Sequence, residues 1–334
     1  MKQTSKLATA IKGLALGIAL IASGPALADD AIKLRLGWVT TDSPDDPYGI
    51  GAAAFKNEVE TLSDGKIEVE LYPNRQLGDE KDLFEGIRFG TVDLALVVNA
   101  VVANVEPAFQ INDMPFLFSD SDQAARILDG ELGELLAAKL KRRGAIVLGY
   151  HEGGFRNMLN NVRPVVNPDD VQDVKYRVMQ NPVFIDMFQS LDGNAIPMAW
   201  GETFTAMQQG TIDGLEMPVP VLFTGKYYEV ADYLSLTQHT YSVTNLLMSE
   251  RSMKKLSPEL QEIVMQAGKR STEIQRRESA RLNEEVLAKI KAEGMQVNEI
   301  ADVAVFREKV KSVYETFRPR IGDEIMDVAL TAVQ

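Results

Sequence analysis

Strand and helix periodicities alternate along the start of this 334-residue chain in an order that few architectures accommodate. In "AIKLRLGWV" (31–39), Ile32, Leu34 and Leu36 alternate with charged residues, as a half-buried strand requires. The polar loop "TTDSPDDP" leads into an alanine-rich helix through Phe55 and Val59, and "SDG" makes a turn. "KIEVELYP" is a second strand with Ile67, Val69 and Leu71 inward. A helix carrying Leu83, Phe84 and Ile87 follows, then the almost wholly apolar strand "TVDLALVVN". Strand, helix, strand, helix, strand predicts an α/β domain with largely parallel pairing.

The alternation resumes further on. A helix runs from Ala124 to "KRRG", and "AIVLGYHEGG" is a strand entering a glycine pair. "FRNMLNN" reads as another strand before a proline-rich loop. In "VKYRVMQNP" (174–182), Val174, Tyr176 and Val178 share one strand face. Asn181 then caps a helix that begins at Pro182 and turns Val183, Met187 and Leu191 inward. A strand ending in "AIPMAW" and a helix through Phe204 and Met207 come next. "GTVDLALV" (90–97) is echoed by "GTIDGLEM" (210–217), each after an amphipathic helix, which supports two lobes of similar build. Ser257 as cap, Pro258 in the first turn and Gly294 as stop predict one long helix, or two joined by a kink near Gly268. No low-complexity linker divides the chain, so it is expected to cross between lobes more than once.

Lys2, Lys6 and Lys12 precede the apolar run "GLALGIALIASG", which is short for a bilayer span and closes on "ALA" (26–28). Residues 1–28 therefore read as a cleavable export signal, and its removal takes the formal charge from −13 to −16. So acidic a chain lacks the basic footprint of a nucleic-acid ligand. It has no cysteine, and its length is enough to bury a core without disulfides. The two histidines, His151 and His239, have no metal-ligand spacing, and HExxH, GxSxG and Walker loops are absent. "GIGAAA" (49–54) mimics a dinucleotide fingerprint, but an aspartate-rich loop separates it from the first strand; close helix packing explains the small residues. No cofactor or metal is expected.

Arg177 is the strongest single candidate. Its side chain opposes the apolar face of its strand and stands just before a helix start, where open α/β sheets receive ligands and helix N-termini attract anions. A guanidinium fork suits a carboxylate. Arg156, just past the glycine pair, suggests a second arm of an anion clamp. Trp200 closes a strand at a strand-to-helix junction and is a candidate cleft wall. Glu216, near a strand end, is either a buried partner for an arginine or a contact for a ligand hydroxyl.

"GFRNMLNNVRP", "KYRVMQNP", "IPMAWGETFTAMQQGTIDGLEMP" and "YYEVADYLSLTQH" resemble the DctP-type solute-binding proteins of TRAP transporters. So does "LYPNRQLGDEKDLFEGIRFGTVDLA", and the similarity spans residues 29–334. The resemblance implies a two-lobed periplasmic binding protein fold with mixed sheets, hinge crossings and a long C-terminal helix bracing both lobes. Lobe I is expected over 29–153 plus about 242–281, and lobe II over 154–241 plus about 282–334. It further implies that Arg177 salt-bridges a ligand carboxylate, Arg156 is a second basic contact and Trp200 an aromatic wall. Trp38, Asp79 and Asn99 fall on first-lobe segments that reach the cleft in some members, and Gln180 and Asn181 flank the pocket. Where the family usually reads "DGQENP" this chain reads "DGLEMP", so Met217 should make part of the pocket more apolar. Val98 stands where sialic-acid binders carry an acid, which argues against that ligand.

The expected function is thus high-affinity periplasmic capture of a small organic acid, dicarboxylates included, by a monomer that delivers it to the small and large TRAP membrane subunits, without catalysis. A zwitterion or sulfonate binder and a ligand sensor are the alternatives. An exported enzyme using Glu216 and a second acid has no nucleophile motif to support it.

Overall fold

The structure, a computed structural model, describes residues 31–334; the signal-peptide reading of 1–28 lies outside them. The first half begins with β1 (Ile32–Gly37), α1 (Pro47–Leu62), β2 (Ile67–Tyr72), α2 (Glu80–Phe89) and β3 (Leu94–Val98), the alternation its periodicities predict. The short α3 (Asn99–Val102), then α4 (Ser121–Leu128) and α5 (Glu131–Lys141), lead to the long β4 (Ala145–Asn160). The second half repeats the order with β5 (Lys175–Val178), α6 (Pro182–Ser190), β6 (Asn194–Pro197), α7 (Trp200–Gln208) and β7 (Gly214–Pro218). It continues through α8 (Val219–Thr224) into β8 (Tyr233–Ser249), then α9 (Glu250–Met253) and α10 (Pro258–Ala292). The chain closes with β9 (Gln296–Glu299), α11 (Val303–Lys309), α12 (Lys311–Ile321) and α13 (Asp323–Ala332).

Strand order shows how the halves are joined. The nine-stranded sheet runs β2-β1-β3-β8-β4-β7-β5-β6, with β9 added beside β8. β1 pairs in parallel with β2 and β3, and β5 pairs in parallel with β6 and β7. β3 then meets β8 antiparallel, while β7 meets β4 antiparallel. The two parallel units are therefore equivalent and are stitched together by the antiparallel pair β4 and β8, which belongs to both.

The sequence echo has a local cause. Asp93 Oδ2 accepts the Arg35 N–H at 3.1 Å, and Asp213 Oδ2 accepts the Lys175 N–H at 3.0 Å. In each unit the Gly-Thr-x-Asp turn thus ties the start of the third strand to the first strand. Its threonine and next N–H both donate back to the preceding helix, to Gly86 O in one unit and Ala206 O in the other.

Three elements differ from their expected form. "AIVLGYHEGG" and "FRNMLNN" are one strand, because the chain passes Gly153 and Gly154 with a bulge and keeps pairing with β8. Gly153 lets the strands approach: a Cβ there would meet Ser242 O at 2.8 Å. The helix expected from Ala124 is two, broken at Asp129 and Gly130. α10 is one unbroken helix of 35 residues, about 52 Å at 1.5 Å per residue, long enough to lie against α1 of one unit and α8 of the other. Among the described residues no helix is long and apolar enough to cross a membrane.

Candidate functional site

Parallel strands deliver their last side chains to one edge of a sheet, and the helices that follow begin there. Both units turn that edge toward the same space. β1 and the loop after it supply Val39 and Thr40, α1 supplies Tyr48, α2 supplies Glu80 and β3 supplies Val98. From the other unit come Arg177 and Met179, Trp200 at the start of α7, Met217 and Pro218 from β7, and Val221. The shared strands add Gly153, Arg156 and Ser242. These side chains surround a narrow hollow. A second, roomier one, with Arg75, Phe204 and Tyr227 in its walls, adjoins it across Val39, Thr40 and Trp200.

The two arginines are held differently. Arg156 is fully matched: Nε contacts Glu216 Oε2, Nη2 donates to Glu216 Oε1 at 2.8 Å and to Glu216 O at 2.7 Å, and Nη1 reaches Ser242 Oγ at 3.3 Å. Its guanidinium also stands 5.4 Å over the Phe184 ring. Burial works against its charge, but the Glu216 carboxylate more than offsets this and holds the pKa above the ordinary arginine value. Glu216 is itself fully buried, which disfavours its charge; chiefly Arg156 overcomes that and keeps it below the usual range. His239 Nε2 lies 3.4 Å from Glu216 Oε2 without hydrogen-bond alignment, and Nδ1 is 2.8 Å from Thr237 Oγ1.

Arg177 is only 2% exposed, yet its partners are neutral. Nε and Nη2 both donate to the Met198 carbonyl, at 3.0 and 2.7 Å, and Nη1 lies 3.4 Å from Met179 Sδ. Among the described residues no carboxylate stands within 4.0 Å of it. Burial, and then the charge of Arg156, push its pKa down, against the pull of Glu216. It is a buried cation, fixed in direction, with no carboxylate in direct contact among the described residues.

The other sequence-named residues divide between wall and scaffold. Trp200 is a wall of both hollows, its ring 5.7 Å from that of Tyr227, and Met217 lines the first. Glu216 stands behind Arg156 as its partner. Trp38, just past the end of β1, is wholly buried in the core, and its loop neighbour Val39 lines the cavity instead. Asn99 is likewise buried, its Nδ2 donating to Phe109 O at 2.8 Å, while Val98 lines the space. Asp79 caps α2, accepting from Glu80 N at 2.9 Å, and its Oδ2 lies 3.4 Å from Gly201 N of the other unit. Gln180 is exposed, with its carbonyl accepting from Asn104 Nδ2 at 2.7 Å. Asn181 caps α6 as its position predicts, and Nδ2 bonds Ala100 O at 2.9 Å and Asp113 Oδ2 at 3.1 Å. Neither Gln180 nor Asn181 lines the hollow.

Glu80, absent from the sequence-based candidates, is the main addition. It is 6% exposed, and Oε1 accepts the Val98 N–H at 3.1 Å. Burial pushes its pKa up to about 7; the Val98 N–H works against this, the Asp79 charge adds to it, and the charges of Arg177 and Arg156 oppose it. The signal was available: Glu80 is the first residue inside a helix capped by Asp79, so it shares the edge that Asp79 marks. Tyr48 stands one position further in, second after the Asp46 cap of α1.

Two α/β units that close one walled cavity between strand ends, bridged by crossing strands and braced by a common helix, define a two-lobed solute-binding protein. The chain belongs to the DctP family, bacterial extracellular solute-binding protein family 7, whose model matches residues 38–320. A solute-binding protein of Chromohalobacter salexigens is 32% identical over 97% of this chain and 96% of its own. The sugar acid binding protein DctPAm of Advenella mimigardefordensis, solved in complex with galactonate, superposes with a TM-score of 0.87. It is 36% identical over 91% of this chain and 98% of its own. A TRAP periplasmic solute binding protein of Sulfurospirillum deleyianum with bound succinate gives a TM-score of 0.85 at 30% identity, covering 91% and 99%. The family is one of transport rather than catalysis, and the chain is a TRAP-type solute-binding protein.

Proposed function

We propose that this chain captures a small organic acid in the periplasm by seating its carboxylate on Arg177, and passes it to the small and large membrane subunits of a TRAP permease. One observation carries the reading: Arg177 is a buried, oriented guanidinium at the cavity wall with no carboxylate of its own. Taking such a charge out of water is costly unless something pairs with it, and an anionic ligand would supply the pair. Arg156 then acts as support, since Glu216 already neutralises it. Met217, Val98 and Trp200 make part of the remaining wall apolar. The acids bound by relatives, galactonate and succinate, both carry the carboxylate this arrangement needs.

Closure would hinge where β4 and β8 pass between units, at the Gly154–Ser242 pair, dividing 29–153 plus about 242–281 from 154–241 plus about 282–334. Contacts between the two units, such as Thr224 Oγ1 to Asp46 Oδ2 at 2.9 Å, support a closed state stabilised by the occupied cavity. The protein acts as an exported monomer.

Arg177→Ala is the test. A charge-assisted hydrogen bond contributes about 1.5 to 3 kcal/mol, so titration calorimetry with galactonate, erythronate and succinate should show at least a tenfold to hundredfold loss for whichever acid binds. Circular dichroism should be unchanged. Wild-type affinity in the folded variant would remove the anchor role.

A further inference from the structure

The charges facing the cavity do not balance for every protonation state, and this has a consequence for binding. Four groups line the cavity or pair directly with its lining: Arg156 from β4, Arg177 from β5, Glu216 from β7 and Glu80 from α2; Asp113 lies behind them, bonded to Asn181 Nδ2, and acts on Arg156 and Glu216 from further off. His239 of β8 faces Glu216, and burial pushes its pKa down, so it is neutral. Tyr48 of α1 faces Glu80 and is neutral too, burial pushing its phenol up. Asp79, the cap of α2, lies just outside the wall beside Gly201 of the other unit.

Among the four groups at the cavity, with Glu80 ionised the two carboxylates already cancel the two arginines. With Glu80 protonated, one positive charge among the four is left over, and it belongs to Arg177. That matches one ligand carboxylate. Glu80 is also free to hold the proton in a useful place. Oε1 is committed to the Val98 N–H at 3.1 Å, whereas among the described residues Oε2 accepts no hydrogen bond.

We infer that this cavity binds its acid together with a proton, Glu80 being the neutral carboxylic acid that donates to the ligand from the unit facing Arg177. This rests on Arg177 as the carboxylate anchor. The balance is simple: the proton comes from solvent and lands on Glu80 Oε2, no other bond is made or broken, and the complex gains no net charge. The ordinary site then suits an acid with one carboxylate and a hydroxyl or carbonyl oxygen to take the Glu80 hydrogen bond. Burial already lifts the free residue to about 7, and a bound anion nearby lifts it further, so the proton is taken up at neutral pH and above.

The experiment is calorimetry of the mature chain with galactonate, erythronate and succinate, in paired buffers of unlike ionisation enthalpy, from about pH 6 to about pH 9. Above about pH 7.5 each bound acid should take up close to one proton, and affinity should fall by nearly tenfold per pH unit. Glu80→Gln keeps an oxygen for the Val98 N–H and should bind with an affinity that changes by less than about twofold over that range, without proton uptake. Infrared difference spectra of the wild type at pH 8 give a second readout that needs no variant: galactonate should add a carboxylic acid carbonyl band. An acid that binds, and is weakened by Arg177→Ala, but shows neither proton uptake nor a pH slope overturns the proton link alone. Binding by none of the three acids overturns the anchor reading and the proton link with it.

Discussion

Arg156 and Arg177 are both buried, and removing the partner of one and the charge of the other should have unequal consequences for the empty protein. Arg156 belongs to a complete pair, so Glu216→Ala strands a guanidinium in a dry site. Breaking a buried pair in this way typically costs about 3 to 5 kcal/mol. Arg177 has only carbonyl and thioether partners, so Arg177→Met removes an uncompensated charge at the loss of two hydrogen bonds to Met198 O. The ligand-free variant should stay within about 1 kcal/mol of wild type by urea denaturation. Equal losses for Glu216→Ala and Arg177→Met would mean Arg177 is structural. At this scale the sequence was informative where a side chain breaks an expected pattern. Arg177 opposes an apolar strand face, and that alone pointed to the cavity. It was uninformative by one residue where a segment merely passes the site. Asp79 caps while Glu80 faces inward, and Trp38 and Asn99 turn into the core while Val39 and Val98 line the wall. That alternation depends on where a loop leaves its strand, which no periodicity records.

Glycines explain most of the differences at the level of elements. As a sequence signal, Gly268 offers a kink and Gly153–Gly154 a strand end; in the fold all three mark close approach or a bulge within continuous elements. A Cβ on Gly268 would stand 2.6 Å from Leu148 O and 2.7 Å from Leu148 Cβ, so α10 rests directly on the β4 backbone. Gly149 is the matching contact from the strand, where a Cβ would meet Thr272 Oγ1. Gly130 is the reverse case, dividing α4 from α5 where the periodicity predicts one helix. Gly268→Ala sets two effects against each other. Helix propensity favours alanine by up to about 1 kcal/mol, while overpacking against backbone costs about 1 to 3 kcal/mol. Because the atom met is a strand carbonyl that cannot rotate aside, the clash should win. A lower melting temperature with unchanged helix content is expected; an unchanged or higher one would show that α10 can lift off β4 freely.

Across the whole molecule, the paired units were legible because the Gly-Thr-x-Asp turn does the same work twice, and short repeated work leaves a short repeated sequence. What the chain's order hides is the exchange of partners, β3 with β8 and β7 with β4, since long-range antiparallel pairing has no local signature. Burial at that junction has a global consequence in pH. Asp46 is pushed up to about 6 by burial, against its hydrogen bonds, and Glu80 and Asp113 are each pushed up to about 7, chiefly by burial. Unfolded, all three titrate near 4. A carboxyl raised in the folded state binds its proton more tightly there, so it stabilises the fold at low pH, and this is lost as pH rises through the folded value. His151 runs the other way. Packed against Gly51 with no hydrogen-bond partner for either nitrogen, it is pushed down to about 3 by burial and the Arg276 charge; burial lowers His239 as well. Both histidines charge in the unfolded chain below about 6.5 and so destabilise the fold as pH falls. Below that point the two sets oppose each other. Above it the histidines are neutral in both states and only the carboxyls act, so ligand-free stability should fall between about pH 6.5 and about pH 8, by on the order of 2 kcal/mol for Glu80 and Asp113 together. Glu80→Gln should remove about half of that slope in thermal melts. A melting temperature that stays level or rises from pH 6.5 to pH 8 would mean these carboxyls are ionised in the folded protein, and would leave the cavity without the proton it is proposed to hold.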